Sequence, residues 1–129
     1  VKPEDGNDRG EGGVGAIYFD RHARTTNYRM LEDGTTSNCS GGKTPWNTWV
    51  TCEETSGGRA WQVDPYGRRD MRPLTMDRGW FESFAYDIRD QNHPRFFLTE
   101  DSERGPLRRF SPNNPNWNDP WQMLHGSVT

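Results

Sequence analysis

The sequence has few aliphatic residues. Leu, Ile, Val and Phe together number 18 of 129 residues, about 14%, and a content below ~20% combined with a high net charge indicates disorder. However, the net charge is only -3, and the chain contains six Trp, six Phe and four Tyr. Disordered segments usually lack aromatic residues and carry a high net charge. We therefore expect a folded domain whose core is built mainly from aromatic side chains.

The sequence also lacks long apolar runs and any excess of basic residues. Because no run of 18 apolar residues occurs, we expect no membrane-spanning segment. Sixteen basic residues stand against nineteen acidic ones and are scattered along the chain, which argues against a nucleic-acid partner. The first residue is Val1, so we expect either a removed leader or a piece of a longer product. A secreted or organellar-lumen location is favoured over the cytoplasm.

Cysteine is rare, and the two cysteines lie thirteen positions apart, at Cys39 and Cys52. The simplest interpretation is one disulfide that closes a short loop. A free buried thiol and a metal-ligating thiolate are the alternatives. Neither cysteine forms a CxxC pair, which argues against zinc.

Short strands punctuated by Gly, Pro, Asn and Asp dominate the sequence. Residues 1–13 form a Gly-rich N-terminal arm, residues 14–111 hold the strands, and residues 112–129 form a Pro/Asn/Trp-rich extension. The predicted strands are 14–20, 25–32, 47–53, 59–64, 80–87, 95–100 and 106–110. No segment has a sustained helical period, so the fold class is all-β. The pattern favours a sandwich, a barrel or a portion of a β-propeller of about two blades, with long turn-rich loops.

Several acidic residues occur at strand ends, where hard oxygen ligands can meet around Ca²⁺. Glu53 and Glu54 are adjacent, so in a strand their side chains point to opposite faces. Glu82 is a lone acid in an aromatic strand, WFESFAYD, and an unpaired buried carboxylate is costly. Solvated edge acids are the simpler interpretation of the glutamate pair.

Basic residues near the turn at 105–106 could clamp a phosphate, because the arginine fork matches its oxygens. Arg104 and Arg108 are the candidates. Pairing with the nearby acids at 100–103 is the more ordinary role for such a cluster.

Residues 38–54 read NCSGGKTPWNTWVTCEE. They resemble the hallmark of the PhoX-type alkaline phosphatases, which reads like NC-x-GG-x-TPWGTW-x-TCEE, with Asn47 in place of the usual Gly. WFESFAYD at 80–87 and FFLTEDSERGPLRRFSP at 96–112 also resemble this family, especially its eukaryotic algal relatives.

The resemblance implies a calcium- and iron-dependent β-propeller phosphatase. In that family a cysteine and several acids hold iron and calcium ions, which bind and activate a phosphate ester. By resemblance, Cys39 looks like the iron-ligating thiolate, Glu54 or Glu53 a metal ligand, and Glu82 a further acidic ligand. Phe81 stands where family members commonly have His, and the phosphatases themselves run to several hundred residues.

The length limits the function that this chain can have alone. A propeller needs at least four blades of four strands each, and seven strands supply about two. We therefore expect a non-catalytic structural or binding piece of a larger protein or assembly. The alternatives are the visible part of a phosphomonoesterase and a carbohydrate-binding module that uses exposed Trp residues.

Additional protein chains, or the missing blades of the same protein, are the expected partners. A chain with too few strands for closure leaves unpaired backbone groups at its sheet edges. Neighbouring parts are therefore expected to bury five aromatic side chains: Trp61, Trp80, Phe96, Phe97 and Trp121.

Overall fold

The structure is a computed structural model that describes residue 10 and residues 12–129. Most of the predicted N-terminal arm, residues 1–13, lies outside the described residues. The described chain contains ten β-strands and one short 3₁₀ helix, Pro120–Gln122, and no α-helix. The strands are β1 Gly12–Phe19, β2 Thr25–Thr35, β3 Asn38–Lys43, β4 Trp49–Gly58, β5 Ala60–Val63, β6 Arg72–Pro73, β7 Gly79–Asp87, β8 Arg95–Glu100, β9 Arg108–Pro112 and β10 Gly126–Val128.

The strands form two antiparallel sheets. β1 and β2 pair as a separate hairpin, and the other eight strands form one sheet in the order β10-β9-β8-β7-β4-β5-β6, with β3 paired to β4. This larger sheet is curled into a half-barrel, which is consistent with a partial β-propeller. The all-β prediction is therefore confirmed. No helix in the described residues is long and apolar enough to cross a membrane.

Strand β4 joins the two halves of the larger sheet. Its first half pairs with β3, from Trp49 to Glu53, and with β5, from Trp49 to Cys52. Its second half pairs with β7, where Glu54 lies opposite Trp80. Because β4 changes partners along its length, residues from three different strands come together around its midpoint.

The core is aromatic, as the composition predicts. Phe81, Phe96 and Phe110 are fully buried. Phe96 stacks against Phe84 at 6.1 Å between ring centroids and contacts the edge of Trp46 at 5.7 Å. Aromatic pairs at such distances add about 0.5–1.5 kcal/mol each beyond their buried area.

Two of the aromatic residues expected to need outside cover are buried by the chain itself, so that prediction is wrong for Phe96 and Trp121. Phe96 is 0% exposed and Trp121 is 9% exposed. The reason is that the segment after β9, treated above as an extension, folds back and packs on the sheet. Trp80 keeps 45% of its surface exposed, and its expected cover stays a prediction.

The larger sheet ends on short strands. β6 has two residues, one of them Pro73, and β10 has three. Short edges and edge prolines discourage pairing with other chains. Three strands, β3, β6 and β10, were missed in the sequence because they are brief or rich in Gly and Pro.

Gly41 and Gly42 do not form a turn, because both lie within β3. The chain reverses instead at residues 44–48, where Thr48 N–H donates to Thr44 Oγ1 at 3.0 Å. Asn47 adopts a positive φ of 65° there, a conformation that Gly and Asn tolerate best. This explains how Asn can replace the glycine of the hallmark.

Candidate functional site

The glycine pair allows β3 to approach its neighbours closely. A Cβ placed on Gly41 would overlap the carbonyl oxygen of Val50, and one on Gly42 would overlap the carbonyl oxygen of Phe84. Only glycine permits this distance between backbones. The pair therefore brings β3 against both β4 and β7, and with it Cys39.

Cys39 lies in a β-bulge. Asn38 pairs with Glu53 and Gly41 pairs with Thr51, so two residues of β3, Cys39 and Ser40, face Cys52 alone. A bulge bends the strand and changes the direction of its side chains. Cys39 is exposed as a result, whereas Cys52 is buried.

Glu54 and Glu82 lie beside this bulge on neighbouring strands. Glu54 is two residues after Cys52, and side chains at such spacing share one face of a strand. Glu82 is the extra residue of a second bulge, since Phe81 pairs with Glu100 and Ser83 with Thr99. The structure therefore places Glu54 and Glu82 near Cys39, and we call these three residues the Cys39 cluster.

The charges of the cluster act on both thiols. Interaction with the Glu54 carboxylate is the largest factor that raises the pKa of Cys39, and the charge of Glu82 adds to it. Burial, followed by the proximity of Cys39 and Glu82, raises the pKa of Cys52 to about 12. Both thiols are thus held in their neutral form at pH 7. Cation binding would reverse this tendency at Cys39, because a coordinating thiol loses its proton.

The Cys39 cluster does not complete a metal site. Within the described part of the chain, no three His, Cys, Asp or Glu side chains are grouped closely enough to hold a metal ion. One thiol and two carboxylates suit iron or calcium in donor type, but their arrangement falls short in number and spacing. The residues present therefore do not fit a whole calcium or iron centre.

Glu53 faces away from the cluster and is engaged by the backbone. Its Oε1 accepts a hydrogen bond from Thr36 N–H at 2.8 Å, and its Oε2 accepts one from Arg59 N–H at 2.9 Å. The side chain joins the β2–β3 connection to the β4–β5 turn. Of the two adjacent glutamates, Glu54 is the one that the structure places beside Cys39.

The two candidate phosphate-binding arginines have different surroundings. Arg108 is bonded to Glu100 and also to Asp77, at 2.7 Å between Nη1 and Oδ2. Arg104 is exposed, and its backbone N–H donates to Ser102 Oγ at 3.3 Å. The guanidinium of Arg108 therefore serves an ion-pair network, and Asp77, its second acid, was not identified from the sequence.

Asn38 is a further residue whose role the sequence did not reveal. Its Oδ1 accepts a hydrogen bond from Thr35 Oγ1 at 2.6 Å, and its Nδ2 donates to Thr51 Oγ1 at 2.9 Å. These bonds fix the backbone immediately before the bulge. Its position next to Cys39 in the hallmark was the only signal for it.

The cysteines are both free thiols, although they face each other across β3 and β4. The candidate disulfide between Cys39 and Cys52 is therefore not formed in the structure. Their proximity follows from the register and does not require a bond.

Comparison with known proteins gives one family. The model of the family described as alkaline phosphatase PhoX matches residues 19–81, which is just under half of the chain. This range includes the hallmark and two members of the Cys39 cluster, and it ends one residue before Glu82. The resemblance is therefore confirmed over these residues, while the likeness to algal relatives stays a prediction. No curated protein and no solved structure matches the chain.

Proposed function

We propose, from the match of residues 19–81 to the alkaline phosphatase PhoX family, that this chain is a structural or binding piece of a larger PhoX-like protein or assembly. On its own it is not catalytic. Its described residues supply one corner of a metal-binding site, and partner chains or further blades supply the rest.

The observation that carries this proposal is the incomplete Cys39 cluster. Glu54 and Glu82 act on the thiol of Cys39 from neighbouring strands, and the family match includes the segment that carries Cys39 and Glu54. Yet no group of metal-ligating side chains closes within the described residues. Cys39 is exposed and has two carboxylates nearby. This is the arrangement expected on one side of a metal site that is shared with another chain or another blade.

A second candidate function is a phosphomonoesterase active in the complete protein. The same cluster favours it, because thiolate and carboxylate ligands would supply part of the iron and calcium binding that the resemblance implies. Metal ions of this kind stabilise the charge that develops on a transferring phosphoryl group. Since the residues here do not fit a whole centre, we assign no catalytic step to them.

The two candidates differ in what the chain can do alone. The test is hydrolysis of p-nitrophenyl phosphate with Ca²⁺ and Fe supplied, by the 129-residue chain and by the native polypeptide in parallel. We expect no metal-dependent hydrolysis by the 129-residue chain. We also expect the mass of the native polypeptide, or of its complex, to be several times that of this chain.

The variants Cys39→Ala and Glu54→Gln test whether any hydrolysis depends on the Cys39 cluster. Glu103→Gln, which changes an exposed acid in a turn, is the matched control. If the chain alone hydrolyses the ester, and only the cluster variants abolish that activity, then the non-catalytic proposal is wrong and the second candidate takes its place.

A further inference from the structure

A groove lies at the end of the sheet where the β3–β4 turn, the β5–β6 loop and the segment after β9 converge. It has a volume of about 430 Å³ and is lined by three of the six tryptophans, with polar residues around them. Small-molecule sites typically measure about 300–1,000 Å³. Its main lining residues are Trp46, Trp117, Trp121, Arg68, Arg69 and Asn118, and we call it the tryptophan groove.

The tryptophan groove is separate from the Cys39 cluster. β3 runs from Asn38 to Lys43, so Cys39 lies at its start, whereas Trp46 lies in the turn that follows its end. Four residues of strand at about 3.3 Å each place Cys39 roughly 13 Å from Lys43. A ligand in the groove would therefore not depend on the metal corner.

The three indole rings are held in place by hydrogen bonds to the protein. Trp46 Nε1–H donates to Gln62 Oε1 at 3.0 Å, Trp117 Nε1–H to the Gln91 carbonyl at 2.7 Å, and Trp121 Nε1–H to the Asp70 carbonyl at 3.1 Å. These partners come from distant parts of the chain. The polar edge of each ring is thus satisfied. Trp46 and Trp117 are half-buried and offer a ligand apolar ring surface, whereas Trp121 is nearly buried beneath the Arg69 guanidinium, 5.2 Å from its ring centroid, and forms the floor of the groove.

The charged residues of the groove neutralise one another. Arg68 pairs with Asp64 at 2.9 Å, and Arg69 pairs with Asp119 at 2.7 Å. An anionic ligand would have to compete with these carboxylates for the guanidinium groups. Exposed N–H groups of the arginines, together with the Asn118 amide, instead provide hydrogen-bonding groups at the rim without a net charge.

We propose that the tryptophan groove binds a neutral saccharide. The C–H groups on the face of a pyranose ring are slightly positive, and they are attracted to the negative face of an indole ring. The hydroxyl groups around the sugar match the donors and acceptors at the rim. Apolar ring surface, rigid placement and balanced charge together fit this ligand class better than a phosphate or a charged peptide.

The test is calorimetric titration of the native polypeptide with cellohexaose, laminarihexaose and mannohexaose, and with inorganic phosphate as the anionic probe. We expect at least one hexasaccharide to bind with a Kd at or below about 1 mM, and phosphate to bind no more tightly than that sugar. Trp117→Leu should weaken sugar binding by about tenfold or more. Trp49→Leu, which removes an exposed tryptophan outside the groove, should change the Kd by less than about twofold.

Two further measurements cover the case in which Trp117→Leu does not fold. In the unaltered protein, the indole N–H resonances of the three groove tryptophans should shift with added sugar, while that of Trp49 should not. Asn118→Ala, a change at an exposed residue, should weaken binding severalfold. Each of three results would overturn the proposal. They are no binding of any of the three hexasaccharides at a concentration about 10-fold above the expected Kd, tighter binding of phosphate than of sugar, and equal effects of the Trp117 and Trp49 variants on the Kd.

Discussion

Replacing Glu53 with Ala should destabilise the fold more than replacing its neighbour Glu54 with Gln. Glu53 is 8% exposed, and its carboxylate accepts hydrogen bonds from the backbone N–H groups of Thr36 and Arg59. The substitution leaves both donors without this partner. Leaving one buried donor unpaired costs about 1–3 kcal/mol.

The magnitude follows from the two donors and their surroundings. Two unpaired donors give about 2–6 kcal/mol, but Thr36 and Arg59 are only half-buried, so water reaches them in part. We expect a loss of about 2–4 kcal/mol in the free energy of unfolding. Glu53→Gln keeps one acceptor oxygen and turns an NH₂ group toward the other donor, so about half of this loss should remain.

The assay is urea unfolding followed by tryptophan fluorescence, with hydrogen exchange of the two amides as a local readout. With an m value of about 2 kcal/mol/M, the midpoint for Glu53→Ala should fall by roughly 1–2 M. The Thr36 and Arg59 amides should exchange faster. Glu54→Gln is the control and should shift stability by no more than about 0.5 kcal/mol.

The reasoning is refuted if Glu53→Ala is no less stable than Glu54→Gln and the two amides exchange at their original rates. The same experiment tests whether the main role of Glu53 is to bind metal. A residue whose main role is metal binding would lose metal affinity without this loss of stability.

Three other predictions follow from the structure. Gly42→Ala should lower the free energy of unfolding by about 1–3 kcal/mol, because the added Cβ would overlap the backbone carbonyl of Phe84. Ser40→Ala, at an exposed residue of the same strand, should have little effect in the same unfolding assay. Arg108→Ala leaves the nearly buried carboxylate of Glu100 without its partner and should lower the free energy of unfolding by about 1–3 kcal/mol. Arg104→Ala should cause no measurable loss of stability, and equal losses for the two variants would contradict the ion-pair role. Burial raises the pKa of Cys52 to about 12, so above about pH 9 the thiol ionises more readily in the unfolded chain than in the fold. The free energy of unfolding should therefore fall between about pH 9 and 12, by up to ~1.4 kcal/mol per pH unit. A pH series in which Cys52→Ala keeps the same alkaline slope as the unaltered protein would contradict it.

The strand content was readable from the sequence wherever apolar and polar residues alternate. β7 and β8 were predicted nearly to the residue, since their aromatic residues lie between clear turn signals. β3 could not be found this way, because its sequence NCSGGK is typical of a turn. Its glycines are required by contacts with Val50 and Phe84, which no local pattern reveals.

The candidate site was predictable in its members but not in its arrangement. The hallmark and its resemblance pointed to Cys39, Glu54 and Glu82, and the structure brings these three together. The same argument also admitted Glu53, whose oxygens are used by backbone amides, and Arg108, whose charge is used by two acids. Distinguishing these roles requires the partner of each side chain, and those partners lie far away in the sequence.

The sequence by itself determined that this chain is all-β, that its core is aromatic, and that residues 38–54 carry a family hallmark. Composition, alternation and turn residues act over a few positions, so they are visible without a fold. Tertiary structure alone decided that two β-bulges place Cys39 near Glu54 and Glu82, and that three distant tryptophans meet in one groove. Both outcomes depend on the register between strands, which is fixed by packing across the whole sheet and not by any single segment.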